Sequence, residues 1–410
     1  MKMAHKNNKF KEKSGHNVLF CTGHQIVMNN VVKALDCCLY DSDNKKYVDF
    51  ESGVWCTSLG HSHPRINQVI KNQIEKIIHT GFCYLHPVIE ESAQQILDVL
   101  EITSGKCVFL CSGSEAVEFG VQVSQTISEK PFLLTMADSY LGSYGAAHKK
   151  QENEWIQFDW MKCSECSEYE DCDPDCPRLS EIPFHQINGF VFEPGSSAGL
   201  VRFPPVKLIE NITHKIKENN GVVLVNEVTT GLGRTGRWFG HQHYNLNPDI
   251  IALGKGLGNG YPVSVTVLTQ PIWKLLEAKP FKYSQSHQND PLGAAIAKEV
   301  IQVIKDENLI EKCTIMGSHF LSQLQQIQKK NNIIKDIRGR GLMIAIEFED
   351  IGNDLLAPTI QRRLLHDGFV VANRPGFNVI RIDPPLTVSK KNIDSFIKKL
   401  QNILTNIIEP

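Results

Sequence analysis

Gly221-Val222-Val223-Leu224-Val225-Asn226-Glu227-Val228-Thr229-Thr230-Gly231 and Pro248-Asp249-Ile250-Ile251-Ala252-Leu253-Gly254-Lys255-Gly256-Leu257-Gly258 are the two stretches on which the fold of this chain is decided. Each contains a short apolar run rich in β-branched residues, the mark of a buried strand, and each then turns polar or glycine-rich. Polar groups at the C-terminal end of a strand are where open α/β sheets bind ligands. Lys255 stands just beyond its strand, hemmed in by glycines. Taken alone, a lysine in a glycine-rich loop is a solvated charge. Buried among apolar neighbours it would favour the neutral amine, the form that attacks an aldehyde.

Between the two stretches, Gly231-Leu232-Gly233-Arg234-Thr235-Gly236 matches the dinucleotide fingerprint letter for letter. That fingerprint needs a helix directly after it, and Arg237-Trp238-Phe239-Gly240-His241-Gln242-His243 has no helical apolar period, so the match is accidental. Strand-like runs alternate with amphipathic helical stretches from about residue 100 to 280, the βαβ pattern of a mostly parallel sheet between helices. Beyond Ser286 a helical segment begins at Pro291. The short strand Met343–Phe348 and a closing helix from about Lys390 to Ile407 follow, a helix–strand–helix tail that predicts a smaller α+β domain.

The 410 residues, 41% of them hydrophobic, suffice for a large core in two or three domains. A formal net charge of −2 with mixed signs along the chain points away from nucleic acid and membrane surfaces. The first fifteen residues are polar and lysine-rich without a secretory core, and no apolar run approaches the roughly 18 residues of a membrane span. A cytoplasmic protein is expected. Eight of the twelve cysteines are scattered, mostly in apolar contexts where a free thiol is a small hydrophobe.

The stretch from Asn226 to Pro262, with Gly231–Gly240 and then PDIIALGKGLGNGYP, closely resembles the class III aminotransferases of fold type I, which use pyridoxal 5′-phosphate. Tyr40–Phe50, Ser52-Gly53-Val54 and Gly60-His61-Ser62-His63-Pro64 are similar to the family's opening segment. Arg338-Gly339-Arg340-Gly341-Leu342-Met343 and Arg381-Ile382-Asp383-Pro384-Pro385-Leu386 are similar to its small-domain signatures. The resemblance implies a large cofactor-binding domain at 45–285, with a cysteine-rich insertion at about 161–177. It implies a small domain made of 1–44 and 286–410.

It also implies a set of site residues. Lys255 would form the Schiff base with the cofactor and act as general acid and base. Val108-Phe109-Leu110-Cys111 reads as a strand, and Ser112-Gly113-Ser114 opens a helix whose N–H groups and dipole favour a phosphate, although such a triplet alone is also a simple N-cap. The family's matching pair holds the cofactor phosphate, so the role passes to Gly113 and Ser114. Tyr140, otherwise a loop tyrosine, falls where the family stacks an aromatic on the pyridine; Leu141 follows it where a histidine is common. Ser286 falls where a threonine reaches the phosphate of the neighbouring subunit, which implies a homodimer with shared active sites. Arg381, in isolation a surface charge, is the candidate clamp for a substrate carboxylate. Glu193 lies where some relatives pair a glutamate with that arginine, and Val54 of the opening segment joins them on the substrate side.

Two positions depart from the family. Asn226 stands where an aspartate pairs with the protonated pyridine nitrogen, and Thr229 where a glutamine usually lies near the phenolic oxygen. Exchanging a charge-assisted bond of roughly 1.5–3 kcal/mol for a neutral one of about 1 costs up to roughly thirtyfold in the equilibrium concerned. Three functions compete. The first is transamination between an amino acid or ω-amine and a keto acid, the second racemisation, epimerisation or decarboxylation on the same cofactor, and the third a cofactor- or metal-binding regulatory protein with little turnover.

Cys163, Cys166, Cys172 and Cys176 crowd into Met161–Pro177 with the spacing Cys-x2-Cys-x5-Cys-x3-Cys, enough thiolates for zinc or an iron–sulfur cluster. Acidic neighbours such as Glu165, Glu170, Asp171 and Asp173 raise thiol pKa values, and the competing assignment is an acidic loop with free thiols. Elemental analysis of anaerobically purified protein should find zinc or iron at a sizeable fraction of the chain concentration; finding neither removes the site.

Overall fold

Val222–Asn226 is buried at every position, as an apolar run without alternation requires when both faces of a sheet are covered. Val223 and Val225 join the core cluster of Leu208, Ile209 and Ile212 on helix Val206–Glu218. Val222 and Leu224 join that of Val117 and Val121 on helix Gly113–Ile127. This strand is the middle of seven, in the order Gly105–Leu110, Ser264–Thr269, Ile250–Leu253, Val222–Asn226, Ile187–Phe192, Phe132–Met136, Trp155–Phe158. Ser264–Thr269 runs antiparallel to both its neighbours, and the remaining neighbouring pairs are parallel. The fold is therefore the expected α/β layer arrangement. The residues come from a computed structural model that describes positions 17–20, 22–166, 170–350 and 355–408. The N-terminal fifteen residues, read above for a missing secretory core, lie outside that range, as do Ser167, Glu168 and Tyr169 of the cysteine-rich stretch. No helix among the described residues is long and apolar enough to cross a membrane.

Parallel pairing sets the site. Asn226 lies opposite Ala252 in the register, so the ends of two neighbouring strands leave the sheet at one edge and deliver Asn226 and Lys255 to the same place. Arg237–His243 carries only the short 3₁₀ turn Gly240–Tyr244, in agreement with rejecting a dinucleotide loop.

The C-terminal part is richer than helix–strand–helix. Ile334–Arg340 forms a hairpin with Met343–Phe348, extended by Val379–Ile382 and Ala372–Asn373 into a four-stranded antiparallel sheet. Ile-Lys-Asp-Ile-Arg-Gly-Arg is too polar to announce a strand, because its place at the sheet edge leaves it half-exposed. Helices Leu309–Gln328 and Leu356–His366 complete the layer. At the other end of the chain, Val31–Leu35, Cys38–Asp41 and Lys46–Asp49 form a second sheet that Phe369–Val370 joins in parallel. Residue 45 lies in the turn between the second and third of these strands.

Large and small layers meet through close backbone packing. A Cβ on Gly317 would sit 2.2 Å from the Gly341 carbonyl oxygen, and one on Gly341, at φ +55°, would sit 2.5 Å from the Thr235 carbonyl carbon. The loop after Asn226 is thus stacked on the small-layer hairpin turn, which is stacked on helix Leu309–Gln328. Arg234, 1% exposed, crosses the junction, donating to the carbonyls of Leu342 (3.2 Å) and Pro384 (2.5 Å) and to Ser58 Oγ (3.3 Å).

Gly317→Ala tests the junction. Helix propensity alone favours alanine by about 1 kcal/mol, but the contact falls on backbone that cannot rotate away, and overpacking of this kind costs typically 1–3 kcal/mol or more. The urea midpoint should fall; a midpoint unchanged or raised would show that the junction is loose.

Candidate active site

Lys255 takes φ +45° directly after Gly254, which lets the chain leave the strand in a tight 3₁₀ turn and sends the side chain back across the strand ends. Its Nζ donates to Thr229 Oγ1 at 2.9 Å. Burial holds its pKa below the ordinary lysine value, opposed by the charge of Glu193 and helped by that of Arg381. Burial thus shifts the amine in the direction of the neutral form that nucleophilic attack requires. It opens into a cleft lined by Gly113, Ser114, Tyr140, Asn226, Thr229 and Lys255, together with Val117, Leu141, Gly142, Ser197 and Val228. Six residues expected from the sequence are thus brought into one cavity.

At one end of the cleft, helix Gly113–Ile127 starts with a closed capping box: Ser112 Oγ accepts from Glu115 N (3.2 Å), and Glu115 Oε2 accepts from Ser112 N (2.7 Å). The cap pins a fifteen-residue helix with its positive end facing the cavity. Gly113 has no room for a side chain, since a Cβ would lie 2.5 Å from Val228 Cγ1. The Ser114 hydroxyl accepts from Ser143 N at 3.0 Å, orienting it beside Gly142. This is the cradle that a phosphate needs.

The lateral walls come from loops. Tyr140, 43% exposed, hands its backbone N–H to Glu193 Oε2 (3.0 Å) and bonds Ser143 Oγ through its hydroxyl (2.7 Å). Asn226, 4% exposed, gives an amide hydrogen to the Tyr140 carbonyl (3.1 Å) and receives the Val228 N–H on Oδ1 (3.1 Å). Its neighbour Glu227 is turned away, accepting from Gly240 N, His241 N, His241 Nδ1 and Thr230 Oγ1 at 2.6–2.8 Å. Burial pushes its carboxyl up, but the bonds from His241 and Thr230 outweigh this and hold it below the usual range.

Arg381 lies on strand Val379–Ile382 with its guanidinium 3.5 Å from the Trp55 ring centre, the ring that also lies 4.9 Å from Lys255 Nζ. Its partners are Asp383 (2.6 Å) and Glu51 (3.8 Å). The expected pair of Glu193 with Arg381 is not formed here. Glu193 is instead bonded to Tyr140 N and Ser197 Oγ, because the turn that follows Pro194 brings Ser197 back onto it. Val54 is 47% exposed, within a run of four left-handed residues: Ser52 (φ +52°), Gly53 (+54°), Val54 (+61°) and Trp55 (+64°). Such a turn costs roughly 1–2 kcal/mol at each non-glycine position. Its effect is to seat Trp55 between the arginine and the lysine. Ser286 is exposed and stands outside the walls of the cleft.

Trp55, Glu51 and Ser197 were missed from the sequence. They sit in irregular loops with no periodicity to mark them, and only the left-handed turn and the fold-back after Pro194 bring them to the lysine. Elsewhere, Cys163, Cys172 and Cys176 pack against the core of Phe158, Trp160 and Leu179, and the thiols of Cys163 and Cys172 are raised first by burial and further by the other cysteines of the quartet. The metal-capable group whose ligand atoms all lie within 4.8 Å of one another is, among the described residues, His79, His287 and Asp290 rather than the cysteines.

Comparison with known proteins places this geometry in context. The family described as "Aminotransferase class-III" matches residues 20–404. An acetylornithine aminotransferase of Methanocaldococcus jannaschii is 30% identical over 387 residues, covering 90% of this chain and 92% of that protein. A leucine/methionine racemase of Thermococcus litoralis is 28% identical over 412 residues, covering 92% and 91%. Among solved structures, a Bacillus anthracis aminotransferase superposes with a TM-score of 0.84 at 22% identity over 92% of this chain and 93% of that one.

The buried Glu193 makes the fold pH-sensitive. Burial raises its carboxyl from 4.5 to about 7, so the folded protein holds a proton that the unfolded chain releases. The stabilisation is complete below pH 4.5 and is lost as pH rises to about 7; at about 1.4 kcal/mol per pH unit this amounts to up to about 3 kcal/mol. Urea unfolding of the cofactor-free protein across that window should show the decline, and Glu193→Gln should flatten it. An unchanged slope in the variant would place the titration elsewhere.

Proposed function

This chain belongs to the class III aminotransferases, and we propose that Lys255 binds the aldehyde of pyridoxal 5′-phosphate as a Schiff base and moves the proton by which an amino group passes from an amino acid or ω-amine to a keto acid. The observation that carries this is the Lys255 amine, buried and held at 2.9 Å by Thr229, in a cleft that the capped helix N-terminus at Gly113 and Ser114 also lines. When bound, the cofactor supplies an aldehyde and an electron-withdrawing ring. Gly113 and Ser114 hold its phosphate, Tyr140 covers one face, and Asn226 meets the ring nitrogen. Thr229 keeps the lysine amine oriented, and its burial among Trp55 and the strand ends excludes water from the proton it carries.

On the substrate side, Arg381 binds a carboxylate, Trp55 and Val54 shape the approach, and Glu193, bonded to the Tyr140 backbone, acts by positioning that loop. Relatives that are acetylornithine aminotransferases make ornithine derivatives the first donors to test. The protein works as a cytoplasmic homodimer in which Ser286 reaches the phosphate in the partner's site. The large layer at 45–285 carries the cofactor, and the small layer of 1–44 and 286–410 carries the carboxylate clamp. Cys163, Cys172 and Cys176, packed on the core beside Trp160, together with the exposed Cys166 hold zinc or an iron–sulfur cluster in a structural role; metal content decides between this and free thiols.

A second reading, racemisation, draws support from the racemase relative and from an uncharged residue at Asn226. One experiment separates the two. With single amino donors and no keto acid, a transaminase converts its cofactor to pyridoxamine phosphate in proportion to donor consumed, and borohydride reduction of the resting enzyme labels Lys255. Inversion of the donor with the cofactor unchanged establishes the racemase, and label on another lysine overturns the site.

A further inference from the structure

The orientation of the Asn226 amide is set by two neighbours of opposite character. The Val228 backbone N–H can only donate, and it points at Oδ1 from 3.1 Å. The Tyr140 carbonyl can only accept, and it lies 3.1 Å from Nδ2. Exchanging the amide oxygen and nitrogen would set donor against donor and acceptor against acceptor in a side chain that is 4% exposed, so the network admits one orientation. One Nδ2 hydrogen is used by Tyr140. The second is left for whatever occupies the cleft that Asn226 lines.

Anions that could replace the missing aspartate are engaged elsewhere. The Glu227 carboxylate is taken up by four donors on the far side of its loop. Glu193 is bound to the Tyr140 N–H and to Ser197. Asp383 is bound to Arg381. At this edge of the cleft Asn226 therefore offers a spare N–H, and each of these three carboxylates already has another partner.

We propose that Asn226 binds the cofactor's pyridine nitrogen as a hydrogen-bond donor and keeps that nitrogen unprotonated in the resting enzyme. A nitrogen lone pair accepts from Nδ2, whereas a pyridinium N–H would face a donor and find no counter-charge. The same geometry shows why aspartate is not a simple replacement. A carboxylate in this position has no hydrogen for the Tyr140 carbonyl, so Asn226→Asp sets two oxygens against each other and loosens the loop that carries the covering ring. The chain around Asn226 is built for an amide.

This inference rests on the assignment of the cleft to pyridoxal phosphate, and the test separates the two. The protein is loaded with pyridoxal phosphate labelled with ¹⁵N in the ring, the lysine linkage is confirmed by borohydride labelling of Lys255, and the ¹⁵N resonance is followed from about pH 6 to 9. The wild type should show the shift of an unprotonated pyridine throughout, and Asn226→Asp should move the resonance to the protonated position. Removing the donor in Asn226→Leu should weaken cofactor retention by about fivefold, the worth of one neutral hydrogen bond, without protonating the ring. A protonated nitrogen in the wild type at neutral pH overturns the proposal while leaving the cofactor assignment intact. Absence of label on Lys255 overturns both.

Discussion

Arg234 is the constraint on which the site depends. A guanidinium shielded from solvent needs partners for its donors, and here Nη1 and Nη2 reach the carbonyls of Leu342 and Pro384 from the small layer and the Ser58 hydroxyl from the N-terminal segment, while Nε is left without one. Burial draws its pKa down, and the nearby Asp383 opposes this. The loop that follows Asn226 is thereby tied to three distant parts of the chain at one point. Asp383, the residue before Pro384, is also the partner of Arg381. Arg381 and the lysine-bearing sheet edge thus share an anchor, and their separation is set by packing rather than by a flexible link.

Around Lys255 the electrostatics follow from that packing. Ser52 donates to the Asp383 carbonyl at 2.5 Å, which holds the left-handed turn Ser52–Trp55 against the same segment. Strain of this kind persists only where surrounding contacts outweigh it. What it achieves is a tryptophan ring beside both Lys255 and Arg381, while burial draws the lysine's pKa down. Glu193, raised to about 7, lies in electrostatic contact with that lysine. Burial thus draws the pKa values of the two groups towards each other.

Much of this was legible in the chain itself. Val222–Asn226 and Ile250–Leu253 declare themselves by unbroken apolar runs, because strands covered on both faces tolerate nothing else. The Gly254-Lys255-Gly256 context and the Ser112-Gly113-Ser114 helix start are short-range features whose geometry is local, and both stand where they were expected. Less was legible where function depends on contacts distant in sequence. Glu193 was expected opposite Arg381, yet a turn of four residues returns Ser197 to it and turns its carboxyl towards Tyr140. The edge strand Ile334–Arg340 went unread because half-exposed positions carry no hydrophobic signal.

By itself, then, the sequence determined the layer order, the place of Lys255 just beyond its strand and the helix start at Gly113, since each rests on periodicity, burial or helix-end chemistry within a few residues. Only the tertiary structure decided which carboxylate faces Arg381, which ring lies beside Lys255 and which way the Asn226 amide points. Those are decided by partners that come from other parts of the chain: Asp383 and Glu51 for the arginine, a strained turn for Trp55, and the Tyr140 carbonyl for Asn226. A hydrogen bond needs its partner within about 3 Å at the right angle. No spacing along the chain specifies that; the packing of Arg234, Gly317 and Gly341 does.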